Sequence, residues 1–240
     1  MSTETAAAPT SANLQATSIL DHHDATIRDL AMRLREREPE DRKLIQAAHR
    51  YLADFVKPIY TLDERQSASR TIRKQHGSCS QRLACLEAVS RACGVPTRSR
   101  VLRVSGRFWY PRFRILRAFI PPKILLVWPQ FFVEDAWIDF EEIYGPAAEL
   151  AERAEQAFSN NGESIFDAVD HTPVDFMAKT CRVGCVPSKF DLSRFVLADE
   201  GFLDSRDEVF ERFGSFDTTL RGRIFEALYG GRSSFSASGS

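Results

Sequence analysis

The residue of this 240-residue chain that points most directly to chemistry is Cys79, which follows a glycine by two positions in Gly77-Ser78-Cys79. It begins an apolar helical stretch, and a thiol is a strong nucleophile only as its thiolate. The free N–H groups and positive dipole end of a helix favour that anion and can hold an acyl oxyanion. Cys79 is therefore a candidate nucleophile for acyl transfer. The alternative is a packed core cysteine, because Leu83 and Leu86 share its helical face.

Elements on both sides must position this helix, which we predict over residues 79–93. Its apolar residues cover much of its circumference, so it should be largely buried. Gly94 and Pro96 should end it. Helices with one apolar face are predicted before it, at 18–35 and 39–57, and strands after it, at 97–104, 124–133 and 136–140. The last two strands form an antiparallel hairpin. The sequence thus predicts an α+β fold in which the Cys79 helix packs on an antiparallel sheet.

Four segments are expected along the chain. Residues 1–17 and 231–240 are rich in small polar residues and are predicted to be disordered tails. Residues 18–145 form the core with its N-terminal helices. Residues 146–230 are predicted to be a helical C-terminal region, either packed on the core or covering its cleft.

Composition excludes several classes of function. The 32 basic and 33 acidic residues give a net charge of −1, which provides no broad field for nucleic acid or a membrane. The chain has no apolar run of membrane-spanning length and no signal peptide, so we expect a cytoplasmic protein. The odd number of cysteines, five, favours reduced thiols. Cys181 and Cys185 have only His171 near them, too few ligands for zinc, so no metal is expected.

Residues 42–141 resemble the transglutaminase-like superfamily. Gly77-Ser78-Cys79 matches the G-x-C start of its core helix, and Gly94-Val95-Pro96-Thr97-Arg98 matches its G-[IV]-P-x-R turn into a strand. Trp137-Ile138-Asp139-Phe140 is similar to the family's strand ending in W-x-x-x-D. The resemblance implies a papain-like fold and acyl transfer through Cys79 without a metal or organic cofactor. It also implies a small-molecule, peptide or carrier-bound acyl substrate; the oligomeric state does not follow.

The resemblance fails at the catalytic base. In the family, a histidine opens an H-x-W-x-E run on the strand after the cysteine helix. Alignment on Trp128 places Leu126 at the histidine and Gln130 at the glutamate. The family's aspartate corresponds to Glu141, with Asp139 two residues earlier. Asp139 and Glu141 are therefore candidate catalytic carboxylates, and the base must come from elsewhere.

Three histidines are candidates to replace that base. His76 precedes Cys79 by three residues and could reach its sulfur through the turn, so it is our candidate base; the alternative is an exposed loop histidine. His49 is interpreted as a surface or packing residue. His171 lies in a loop of the C-terminal region that could fold over the site or remain in water.

Residues 107–123 form an insert of interleaved arginines and aromatic residues. Such an insert could hold an anionic carrier such as a phosphopantetheine arm, or stack on nucleobases; we favour a solvated loop whose aromatic residues pack on the core. We assign Trp109, Trp128 and Gln130 as substrate-binding residues. The leading hypothesis is an acyl-transfer enzyme. The alternatives are a catalytically inactive binding protein on the same fold, and a cyclase or amide synthase of small-molecule biosynthesis whose substrate supplies the base.

Overall fold

The computed structural model describes residues 8–113, 117, 120–180, 188–215 and 231. Within them the helices are α1 (Ala25–Arg37), α2 (Asp41–Phe55), α3 (Ala68–Lys74), α4 (Cys79–Ala92), α5 (Ala147–Arg153), α6 (Ile165–Ala168) and α7 (Arg206–Phe213). The strands are β1 (Lys57–Pro58), β2 (His76–Gly77), β3 (Thr97–Ser105), β4 (Lys123–Val133), β5 (Ala136–Asp139) and β6 (Val196–Leu203). This combination confirms the predicted α+β fold.

Helix α4 lies at the centre of the molecule, as predicted. It packs against α1, α2 and α3 on one side and against β3 and β4 of the sheet on the other. Eleven of its residues, Gln81 through Arg91, are buried. Helix α1 begins at Asp24, whose Oδ1 accepts a hydrogen bond from the Thr26 amide at 2.8 Å. Because α4 is enclosed from all sides, only its first turn remains available for a site.

The main sheet is antiparallel, with the strand order β5-β4-β3-β6. Leu126 of β4 pairs with Leu102 of β3, and Gln130 of β4 pairs with Asp139 of β5. Pro129 was expected at a bulge or an edge. It stands in register opposite Ser99, just before the pairing with β5 begins, so one side of β4 has no β5 partner at this residue.

The region 146–230 differs from the helical prediction by one strand. Helices α5, α6 and α7 lie there, but β6 forms the edge of the sheet beside β3. Two acidic residues interrupt the apolar alternation of β6, and they pair with arginines of β3 in the ion pairs Arg100–Asp199 and Arg103–Glu200. These cross-strand pairs supply what an apolar face would otherwise provide. Residues 216–230 lie outside the described part of the chain.

The predicted N-terminal tail is also ordered in part. Ser11–Leu14 form a 3-10 turn, and the buried Asn13 donates from Nδ2 to Asp204 Oδ1 at 2.9 Å. Thr17 donates to Asp207 Oδ2 at 2.5 Å. Composition marked this segment as disordered because it is polar, whereas hydrogen bonds to the start of α7 hold it. Residues 1–7 and 232–240 are outside the described residues. In the described part of the chain, no helix has the length and apolarity needed to span a membrane.

Candidate active site

Cys79 is the first residue of α4, and the turn before it is tightly fixed. Ser78 caps the helix, with its Oγ accepting from the Gln81 amide at 3.2 Å and its own amide donating to Gln81 Oε1 at 3.0 Å. Gln81 Nε2 also donates to the Asp63 carbonyl at 2.7 Å. A Cβ at Gly77 would lie 2.8 Å from Thr71 Cγ2, so only glycine fits there without movement. The sequence thus places the thiol in a defined position.

Cys79 lines a cavity of about 400 Å³, which we call the cavity below. Its walls come from the first turn of α4, from β4, from the insert after β3 and from α7. They are mostly apolar and include Leu83, Trp109, Phe113, Leu126, Ile165 and Phe210. A volume of this size is typical of sites for small ligands. The thiol therefore stands beside a space suited to an apolar group.

The polar groups nearest the thiol do not make it a thiolate at neutral pH. Burial raises the pKa of Cys79, and this effect outweighs the opposing influence of Arg82, the Phe166 backbone, the Ser164 hydroxyl and Arg112. Arg82 is fully buried, and its charge is already neutralised by hydrogen bonds to the Asp167 carboxylate at 2.9 and 2.5 Å. Sequence reasoning missed Arg82. Its signal was a charged residue three positions after Cys79 on an otherwise apolar helix.

No histidine lines the cavity among its described residues. Leu126, at the position aligned with the family's histidine, does line it. His76 lies on β2, is exposed and is not among the lining residues, so its role as the base stays a prediction without support from this geometry. His49 is a packing residue: it is buried, with ring nitrogens 2.8 Å from Tyr144 Oη and 2.5 Å from the Phe166 carbonyl.

His171, the third histidine considered, is an exposed residue of the C-terminal region. Its Nδ1 lies 2.6 Å from Asp170 Oδ1, and its side chain is 60% exposed. It is not among the residues that line the cavity. Within the described chain, His171 is therefore a solvated loop residue.

The candidate carboxylates lie together, but outside the cavity lining. Lys179 Nζ is 2.5 Å from Asp139 Oδ2, 2.6 Å from Glu142 Oε2 and 3.4 Å from Glu141 Oε1; we call these four residues the acidic cluster. Burial first, and then Asp139, raises the pKa of Glu141 to about 8. The same carboxylates raise the pKa of Lys179 despite its burial. The acidic cluster thus has the features of a structural ion network.

Trp128 and Gln130, assigned to substrate binding, also contact the acidic cluster. Trp128 Nε1 donates to Glu141 Oε2, and Gln130 Nε2 donates to Asp139 Oδ1 at 2.6 Å. Both side chains are buried and neither lines the cavity. Trp109, in contrast, is a wall residue of the cavity, together with Arg112 and Lys123 of the same insert. The predicted site residues therefore divide into two groups, with Cys79 and Trp109 at the cavity.

The described residues contain no group of histidine, cysteine, aspartate and glutamate side chains that could hold a metal ion. Cys181 and Cys185 lie outside the described residues, so the structure does not bear on their pairing with His171.

Comparison with known proteins agrees with this geometry. A family model described as the transglutaminase-like superfamily matches residues 28–142, a segment that runs from α1 through β5 to the 3-10 turn Phe140–Glu142. It includes Cys79 and the whole of α4. No curated protein and no solved structure matches the chain. Residues 28–142 of this chain therefore belong to the transglutaminase-like superfamily.

Proposed function

We propose that this protein performs cysteine-dependent acyl transfer, with Cys79 holding the acyl group as a thioester. The observation that carries the proposal is the position of Cys79, at the first turn of α4 and in the wall of an apolar cavity of about 400 Å³. A nucleophile at a helix start has unpaired amides beside it. Those amides can stabilise the oxyanion that forms when the sulfur attacks an acyl carbon.

The proposed reaction has two steps. The Cys79 sulfur bonds to the acyl carbon of the donor, and the donor's leaving group departs. Water or an amine then attacks the thioester, releasing the acyl group as an acid or an amide and restoring the thiol. The acyl group comes from a small molecule, a peptide or a carrier. An amine within the same substrate would make the protein a cyclase or amide synthase.

A second candidate function is binding without catalysis. The specific observation that favours it is Leu126, an aliphatic side chain that lines the cavity at the position aligned with the family's base. A thiol whose pKa is raised by burial is a poor nucleophile without a base. On this hypothesis the apolar cavity holds its ligand without a covalent bond to Cys79.

Intact-mass spectrometry after incubation with an acyl donor separates the two functions. We expect the mass to increase by one acyl group in the wild-type protein and not in Cys79→Ala. Cys93→Ala is the matched control, because Cys93 is also a partly buried thiol but lies at the other end of α4. An adduct that persists in Cys79→Ala would refute the proposal. Saturable binding of an apolar acyl compound without any adduct would support the binding protein instead.

A further inference from the structure

We infer that the acyl donor of this site is a thioester with an apolar acyl chain, not an amide. The inference rests on the proposed function of Cys79 as the acyl acceptor and names its substrate class. It is carried by the composition of the cavity, in which Leu126 and other apolar side chains surround the thiol and no histidine is present among the described lining residues.

The leaving group decides which donors such a cavity can use. An amine leaves a tetrahedral intermediate only after its nitrogen receives a proton, which a histidine supplies in cysteine and serine acyl-transfer enzymes. Leu126 has no proton to give, and it is fixed in the sheet by its pairing with Leu102. An amide donor would therefore return to the starting state, because the Cys79 sulfur is the better leaving group of the two.

The other titratable side chains of the cavity do not replace this acid. Arg103, Arg112 and Lys123 are basic groups that stay protonated at neutral pH. Glu64 is a carboxylic acid, whose ordinary pKa makes it an anion under the same conditions. Tyr60 packs with Phe113 and Ile120 in a small apolar cluster, separate from the main core cluster against which Cys79 packs.

A thioester donor needs no such acid. The Cys79 sulfur forms a bond to the acyl carbon, the carbon–sulfur bond of the donor breaks, and the proton of the Cys79 thiol ends on the departing thiol. A departing thiolate is a stable anion, since the pKa of an alkyl thiol is close to that of cysteine itself. The exchange is balanced without an oxidant, a metal or a net proton, so it suits a thiol without a histidine.

The walls of the cavity define the acyl part of the donor. Leu83 of α4 and Leu126 of β4 face the same space as Phe210 and Phe213 of α7. An alkyl chain gains about 0.8 kcal/mol for each methylene that it buries against such walls. An apolar chain of several carbons should therefore react faster than an acetyl group, by several-fold for each pair of carbons added until the cavity is filled.

Two matched donors test the inference on the full chain. They are the octanoyl thioester of N-acetylcysteamine and the octanoyl amide of N-acetylethylenediamine, which differ at the scissile bond by a sulfur in place of an NH group. Intact mass follows the adduct on Cys79 with time, Cys79→Ala gives the background, and glutathione gives the rate of a free thiol. We expect an adduct from the thioester at least about tenfold faster than with glutathione, and none from the amide.

Each outcome has a distinct meaning. Acylation of Cys79 by the amide at a rate similar to that of the thioester would overturn the inference and leave the proposed function intact. Absence of an adduct from both donors would refute the proposed function itself. Equal rates for acetyl and octanoyl thioesters would overturn the assignment of an apolar acyl chain.

Discussion

The buried ion pair between Glu87 of α4 and Arg206 of α7 gives a sharp prediction about stability. Arg206 Nε donates to Glu87 Oε1 at 2.5 Å, Nη1 to Ser80 Oγ at 3.0 Å and Nη2 to the Val127 carbonyl at 3.1 Å. The two side chains are 1% and 0% exposed. One guanidinium thus joins α7 to β4 and to the residue that follows Cys79.

The variant Arg206→Met should lower the free energy of unfolding by about 3–5 kcal/mol, the usual cost of removing one partner from a buried ion pair. Methionine keeps much of the apolar stem, so the loss comes from the Glu87 carboxylate, which stays buried without its cation. The double variant Glu87→Gln/Arg206→Met removes the buried charge as well. It should therefore be more stable than Arg206→Met alone by at least about 1 kcal/mol.

Urea denaturation followed by far-ultraviolet circular dichroism measures these differences. Arg212→Met is the matched control, because Arg212 is an exposed arginine of the same helix, and its effect should stay within about 0.5 kcal/mol. A cost below about 1 kcal/mol for Arg206→Met would refute the reasoning. So would a double variant whose cost equals the sum of the two single variants. Because Phe210 and Phe213 of α7 line the cavity, Arg206→Met should also weaken binding of an apolar ligand.

Three more predictions concern the site and the acidic cluster. The pKa of Glu141 lies at about 8, above its ordinary 4.5, so its contribution to stability is complete below the ordinary value and lost as the pH rises through about 8. Glu141→Gln should remove this slope, which is at most about 1.4 kcal/mol per pH unit, and urea midpoints that fall equally in both proteins between about pH 5 and 9 would contradict it. Alkylation of Cys79 by iodoacetamide should increase up to and beyond pH 9.0, because burial raises the thiol pKa above this ordinary value; a plateau near neutral pH would contradict it. Leu126→His should allow acylation of Cys79 by the octanoyl amide, measured by intact mass, whereas Leu126→Asn, which supplies no proton, should not; acylation in both variants or in neither would contradict the role given to Leu126.

The parts of the fold that follow from local chemistry could be predicted from the sequence. Helix α4 begins and ends where Ser78 and Gly94 require it, because capping and left-handed backbone are decided by neighbouring residues. Strands β3, β4 and β5 have apolar patterns strong enough to identify. Strand β6 does not, since its pairing depends on arginines about a hundred residues earlier in the chain. Such an edge strand has no local signal.

The site was predictable only in its nucleophile and in one wall residue, Trp109. Closeness in sequence suggested His76 as the base, but β2 leaves that side chain exposed, and three residues of separation do not fix a direction in space. Arg82 was missed because its partner Asp167 lies 85 residues later, on a short helix with little pattern of its own. Contacts between distant residues decide the surroundings of the thiol, and periodicity does not encode them.

Leu126 and Glu141 make sense when they are considered together. In a catalytic triad the third residue orients the histidine and stabilises its charged form, so it has no such task once the histidine is absent. Leu126 occupies the position aligned with the histidine, and Glu141, at the position aligned with the aspartate, accepts a hydrogen bond from Trp128 and lies beside Lys179. The two positions have therefore changed in a consistent way, from proton transfer to packing and ion pairing. What remains at the cavity is a thiol at a helix start, and this is sufficient for exchange between thioesters and insufficient for cleavage of an amide.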